Sequence, residues 1–192
     1  KVMAKKSFFI PMAWIFELVL SSLAYIFLFY LNDYLTANLY YGTGVNWIYL
    51  PAGLRLFLTL IFGFSGAVGI ALASFFISYY GAFSNDLIAC IGTSLISGFA
   101  PYLARLFVLQ NIQLAPDLSN LNFPNLCVCI VVYALLSAGL HQWWFATMGL
   151  ADAGTFNHFS VMVFGDILGS LLLIFVAKSG IDLLKRFKQT AH

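Results

Sequence analysis

Apolar residues run along this chain in blocks, and polar residues gather between them. A bilayer's hydrocarbon core is ~30 Å thick and takes ~20 helical residues to cross. Blocks of that length predict helical spans at about 8–31, 86–108, 124–145 and 157–178. From Trp47 to Tyr80 the chain carries no charge except Arg55. That stretch is too long for one span and short for two. Its middle, "FGFSGAVG", contains Gly63 and Gly66 and is able to turn. Two short spans, 47–62 and 65–80, are therefore predicted. Ser84 and Asn85 are the expected caps of the span that follows.

Flanking charge chooses between five and six crossings. Lys1, Lys5 and Lys6 sit at one end, and Lys185, Arg186 and Lys188 at the other. Basic residues collect in short cytoplasmic segments, so both termini are expected inside and the number of crossings even. Segments 32–46, 81–85 and 146–155 contain no Lys or Arg and are expected outside. The 110–122 linker, just after Arg105, is expected inside. Tyr40, Tyr41, Trp47, Tyr79, Tyr80, Trp143 and Trp144 then form an aromatic belt at the outer boundary. The basic-then-apolar start lacks a small-residue cleavage site and reads as an uncleaved span. The expected fold is an all-α integral membrane protein, a bundle of six transmembrane helices forming one domain over 1–192. It would be a multi-pass protein of the cell inner (plasma) membrane.

Composition agrees with the pattern. Hydrophobic residues make up 62% of the 192 and charged residues 8%, against about a quarter charged in ordinary globular chains. A net charge of +2 confined to the ends argues against nucleic acid and leaves the lipid bilayer as the main surroundings. Cys90, Cys127 and Cys129 lie in apolar segments and are read as packed thiols.

Two charges then require a reason. Asp166 lies nine residues past Asn157, roughly 13 Å below the outer boundary at helical rise. Arg55 lies eight residues past Trp47, ~12 Å deep by the same rise. An isolated charge there costs at least ~2.5–3.5 kcal/mol. Either the two form a buried structural ion pair, or they line a binding cavity open to the outside. The neighbours of Asp166 favour the cavity. His158 at i−8 and Ser170 at i+4 are expected near its helical face. Gly165 and Gly169 form a G-x-x-x-G step that lets a helix or ligand approach the backbone. The preceding span ends in His141, Gln142, Trp143 and Trp144, a lining suited to a small polar or aromatic ligand. The candidate ligand-binding residues are Trp47, Arg55, His141, Trp144, His158 and Asp166. Glu17, in the inner half, is expected to pair with Arg105 or Lys178. No metal-ligand spacing, Walker sequence or nucleophile elbow occurs, so no metal, no cofactor and no enzyme activity are expected.

"NWIYLPAGLRLFLTLIFGFSGAVGIALAS" (46–74) and "VFGDILGSLLL" (163–173) resemble the bacterial membrane-associated sensor domain of the first type. That family shows a Trp-x-x-x-Pro-Ala-Gly entry, two short spans about a glycine turn, and a Gly-Asp-x-x-Gly element in its closing span. The matching positions are Trp47, Pro51, Gly53, Asp166 and Gly169, and the similarity covers most of the chain from Asn46 to about Leu173. The resemblance implies a sensory input domain that binds a small molecule and signals to a cytoplasmic output domain or partner protein; a homodimer is compatible with it. No output domain follows Lys188 in this sequence. The alternative is the substrate-capture component of a vitamin-type uptake transporter, with Gly66, Gly69 and Ala73 offered to a partner.

Overall fold

The computed structural model describes residues 11–84, 86–112, 115, 117–150 and 153–190. Lys1, Lys5, Lys6, the first residues of span 8–31, Asn85 and the side chain of Lys188 lie outside the described residues. Helix α1 is Met12–Thr36. A short 3-10 turn leads into a hairpin of β1 (Tyr40–Gly42) and β2 (Val45–Asn46). Then come α2 (Leu50–Phe62), α3 (Phe64–Tyr80), α4 (Leu87–Asn111), α5 (Phe123–Thr147) and α6 (Phe156–Thr190). The protein is all-α apart from the hairpin. Four helices, α1, α4, α5 and α6, are long and apolar enough to cross a membrane.

The two short helices follow from local chemistry. Pro51 stands in the first turn of α2, where its missing N–H costs nothing. Gly63 ends α2 at φ 60°, a conformation a Cβ would penalise, and its N–H reaches Thr59 O at 2.9 Å. The chain reverses there, and α3 packs back along α2. Leu58, Ile70 and Ala73 form a buried cluster with Tyr25 of α1. Gly66, the other expected turn residue, instead lies against the Leu58 carbonyl. At 1.5 Å per residue α2 and α3 are only ~20 and ~26 Å long.

Asp86, rather than Ser84 or Asn85, caps α4: its carboxylate accepts the Ala89 N–H at 2.9 Å. Asn122 caps α5 on the Asn125 N–H at 2.9 Å. Within α4, Pro101 has no N–H to give the Ser97 carbonyl, its i−4 partner. Helix α6 passes Gly180 without a break and is exposed from Phe175 to Phe187. Its 35 residues measure about 52 Å, well beyond the ~30 Å hydrocarbon core.

The apolar core between α2, α4 and α5 is built on Ala52, Leu56, Leu60, Ala104, Val108, Cys129 and Ile130. All three cysteines are free thiols. Toward the other end of α5 and α6, Val45 of the hairpin is fully buried among Ala134, Ala138, Val161, Met162 and Val163. The hairpin therefore plugs the gap where α5 and α6 approach their connecting loop.

A polar layer inside the bundle

The chain from Asn46 to Tyr49 enters the bundle extended rather than helical. Tyr49 N–H donates to Gly165 O at 3.1 Å. Leu50 N–H donates to Asn32 Oδ1 at 2.9 Å. Asn32 is itself fully buried and also donates to Thr36 Oγ1 at 3.0 Å. A Cβ on Gly165 would collide with Asn46 O, and one on Gly169 with the main chain of Tyr49 and Leu50. The G-x-x-x-G step thus seats an extended strand where a helix was expected. Buried main-chain groups need partners, and Asn32 and Gly165 supply them here.

This entry sets the position of Arg55. Gly53 lies against the Ser170 backbone, so Arg55 is level with residue 172 or so. Its Cα is then about 9 Å below that of Asp166, not at matching depth. The difference arises because extended chain descends ~3.3 Å per residue, more than twice the helical rise. Helical side chains lean toward the N-terminus, so the guanidinium climbs back, and it meets two tyrosines. Arg55 Nε donates to Tyr25 Oη at 3.0 Å, and Nη2 to Tyr49 Oη at 2.9 Å and to Tyr25 Oη. Its Cζ stands 5.0 and 5.1 Å from the two ring centroids, a double cation–π contact. The two hydroxyls meet at 3.1 Å. Arg55 and Asp166 interact electrostatically, but of the two expected arrangements the direct ion pair is not the one formed, since the guanidinium bonds this tyrosine clamp.

Asp166 is 1% exposed. It interacts with Ser137 and Tyr133 of α5, yet among the described residues Asp166 Oδ2, Ser137 Oγ and Tyr133 Oη meet no partner in full hydrogen-bond geometry. One turn beyond Ser137, His141 is buried, with Nδ1 2.9 Å from Ser137 O and Nε2 3.3 Å from Ser97 Oγ. A carbonyl only accepts, so Nδ1 carries the proton and Nε2 accepts from Ser97.

Of the six candidate residues, the structure buries Arg55, Asp166 and His141 in the bundle interior, with Arg55 in electrostatic reach of the other two. The other three lie elsewhere. His158, half-buried, bonds Thr155 Oγ1 through Nδ1 at 3.0 Å and packs on Tyr41, ring centroids 4.9 Å apart. Trp47 packs edge-on to Tyr41 at 5.8 Å. These two belong to an aromatic cluster with the hairpin, at the start of α6. Trp144 lies on Gly92, where a Cβ would collide with the indole, and its Nε1–H points to Ala89 O at 3.4 Å; it packs α5 onto α4. Gln142 holds the α5–α6 loop through Gly154 N–H at 3.0 Å. Glu17 accepts from Ser65 Oγ, while Arg105 donates to Leu60 O at 3.3 Å.

Sequence reasoning missed Tyr25, Tyr49, Tyr133 and Ser137. Tyr133, Ser137 and His141 do carry a signal: three polar-tipped residues at i, i+4 and i+8 on one face of an apolar helix. Tyr25 and Tyr49 carry none, since only the fold joins them. Among the described residues, no group of three His, Cys, Asp or Glu side chains stands close enough to hold a metal ion. No known family model, curated protein or solved structure matches the chain.

Proposed function

We propose that the chain is a membrane-embedded sensory domain that binds a small molecule in its outer half, at the Arg55–Asp166 layer, and relays the event through α6 to a cytoplasmic output domain or partner. One observation carries this reading. Two opposite charges are buried in one layer without touching, and beside them stand polar atoms with no partner. Polar groups buried in that condition cost about 1–3 kcal/mol each. A bound molecule that satisfies them repays that cost.

The same layer is tied to α6 by main chain: Tyr49, which holds Arg55, also bonds Gly165. A ligand favouring one position of Tyr49 over another shifts α2 against α6, which is what differential binding requires of a signal. Helix α6 then extends past the bilayer thickness. With the extended 46–49 segment making up the outer part of the α2 crossing, the chain has six crossings and both termini on the cytoplasmic side of the inner membrane. The resemblance to the bacterial sensor domain is in keeping with this role. Uptake is disfavoured by the small residues meant for a transporter partner: Gly69 lies against Leu18 and Ser21, Gly66 against Leu58, and Ala73 is buried.

Native mass spectrometry of the protein released from mild detergent tests the reading. A small-molecule adduct is expected on the wild type and absent from the double variant Arg55→Met/Asp166→Leu. Equal retention by both, or none by the wild type, would sink it.

A further inference from the structure

Five buried side-chain atoms among the described residues have no hydrogen-bond partner, and four of them follow one track. Asp166 Oδ2 faces Ser137 and Tyr133, which are one turn apart on α5. One turn beyond Ser137 is His141, whose Nε2 meets Ser97 Oγ at 3.3 Å. One turn beyond Ser97 on α4 is Thr93, whose Oγ1 is again unpartnered. Pro101 adds a further acceptor by leaving the Ser97 carbonyl without its i+4 donor. Thr93 lies six residues inside the start of α4, ~9 Å from its end. Beyond it stand Phe83, Cys90, Trp144 and Phe145. Orphan hydroxyls are rare; here Tyr133 and Ser137 lie one turn apart at one end, Thr93 stands at the other, and the bonded Ser97–His141 pair joins them, a polar lining of the kind buried water occupies.

We infer that Thr93, Ser97, His141, Ser137 and Tyr133 line a water-bridged path by which a proton from the outer side reaches and binds Asp166. The inference rests on the reading of this layer as the working site, and names the proton as one of its ligands. The waters and the Thr93, Ser137 and Tyr133 hydroxyls each accept one proton and pass on their own, while Ser97, whose proton is held on His141 Nε2, only accepts from water; the net event is one hydronium proton transferred to the Asp166 carboxylate, leaving water. His141 Nε2 orients the Ser97 hydroxyl; its Nδ1–H stays on Ser137 O. The groups facing Asp166 are Arg55 from α2 and Tyr133 from α5; Arg55 is held by Tyr25 of α1 and by Tyr49, and it also acts electrostatically on His141. Protonation removes the one negative charge opposite Arg55, which loosens α6 from α2.

Infrared difference spectroscopy on vesicles of phosphatidylcholine and phosphatidylglycerol, stepped in external pH at fixed internal pH, is the test. A carboxylic-acid band is expected in the wild type and absent from Asp166→Asn. Thr93→Val/Ser137→Ala removes two orphan hydroxyls, so it folds as well as the wild type while slowing the band's rise at least tenfold. A band that follows internal pH, one that rises at the wild-type rate in the double variant, or no band in the wild type overturns the path. An adduct lost with Arg55 and Asp166 but no proton band would leave the small-molecule reading standing and remove this one. A band without an adduct would do the reverse.

Discussion

Glu17 and Asp166 are both carboxylates in apolar helices, and the protein treats them in opposite ways. Glu17 is half-buried on α1, the least enclosed of the four long helices, and accepts a hydrogen bond from Ser65. Asp166 is sealed among α2, α5 and α6, with Oδ2 unpartnered and a guanidinium nearby but clamped by tyrosines. A carboxylate at the margin with a hydroxyl partner needs no ligand to explain it. One kept deep in the bundle and incompletely satisfied stores a cost that a ligand or proton can release. Depth alone does not make a site; depth with unspent bonding capacity does.

The largest effect should come from dividing the Asp166 layer. Arg55→Met leaves Asp166 without a counter-charge and strips the donor from Tyr25 and Tyr49, so a loss of about 3–5 kcal/mol is expected in unfolding titrations in mixed micelles. Arg55→Met/Asp166→Leu should recover most of that loss. If the double variant is as unstable as the single, the two charges do not sense each other and the contrast with Glu17 collapses.

Next in size is the seat of the entering strand. Gly169→Ala drives a methyl into the Tyr49 main chain, and overpacking of this kind costs about 1–3 kcal/mol. Gly180→Ala on the same helix meets nothing within 4 Å and should stabilise by up to ~1 kcal/mol through helix propensity. Equal effects at the two positions would mean that the strand does not sit on α6 as described.

Much of this layout was legible in the sequence, and its limits have physical causes. Apolar block length marked the long helices, and Gly63 marked the reversal, because both are local properties. Asp166 and Arg55 were conspicuous because charges are rare in such blocks. Their relation was misjudged at one point: residues 47–49 were counted at helical rise, while the chain there is extended. No local signal announces that, since the strand is held by Gly165 and Asn32, distant in sequence. The histidines divided for a similar reason. His141 faces inward with Ser137 at i−4, whereas His158, ~12 Å nearer the start of α6 than Asp166, reaches the hairpin and meets Tyr41 instead.

That division gives a smaller effect. Trp144→Phe loses a long hydrogen bond to Ala89 O and should cost about 1 kcal/mol. His158→Ala removes the contact with Tyr41 of the hairpin. Neither should change small-molecule retention or the response of Asp166 to external pH. A loss of either property in Trp144→Phe, at unchanged stability, would extend the site beyond the central layer to the C-terminal end of α5.

The smallest effect belongs to Glu17. Glu17→Gln keeps an amide oxygen in place to accept from Ser65 Oγ, and removes a charge whose counter-charge was never drawn from Arg105, which bonds Leu60 O instead. The change in unfolding free energy should stay under about 1 kcal/mol, the range of a single exchanged hydrogen bond. Asp166→Asn is the same chemical edit in the other setting, and there the amide leaves Arg55 buried without its opposing charge. It should cost more than Glu17→Gln in stability and abolish adduct retention, with Glu17→Gln retaining it. Were Glu17→Gln the more damaging of the two, the unspent bonding capacity around Asp166 would have no consequence, and the working site would have to be sought at the α1–α3 contact.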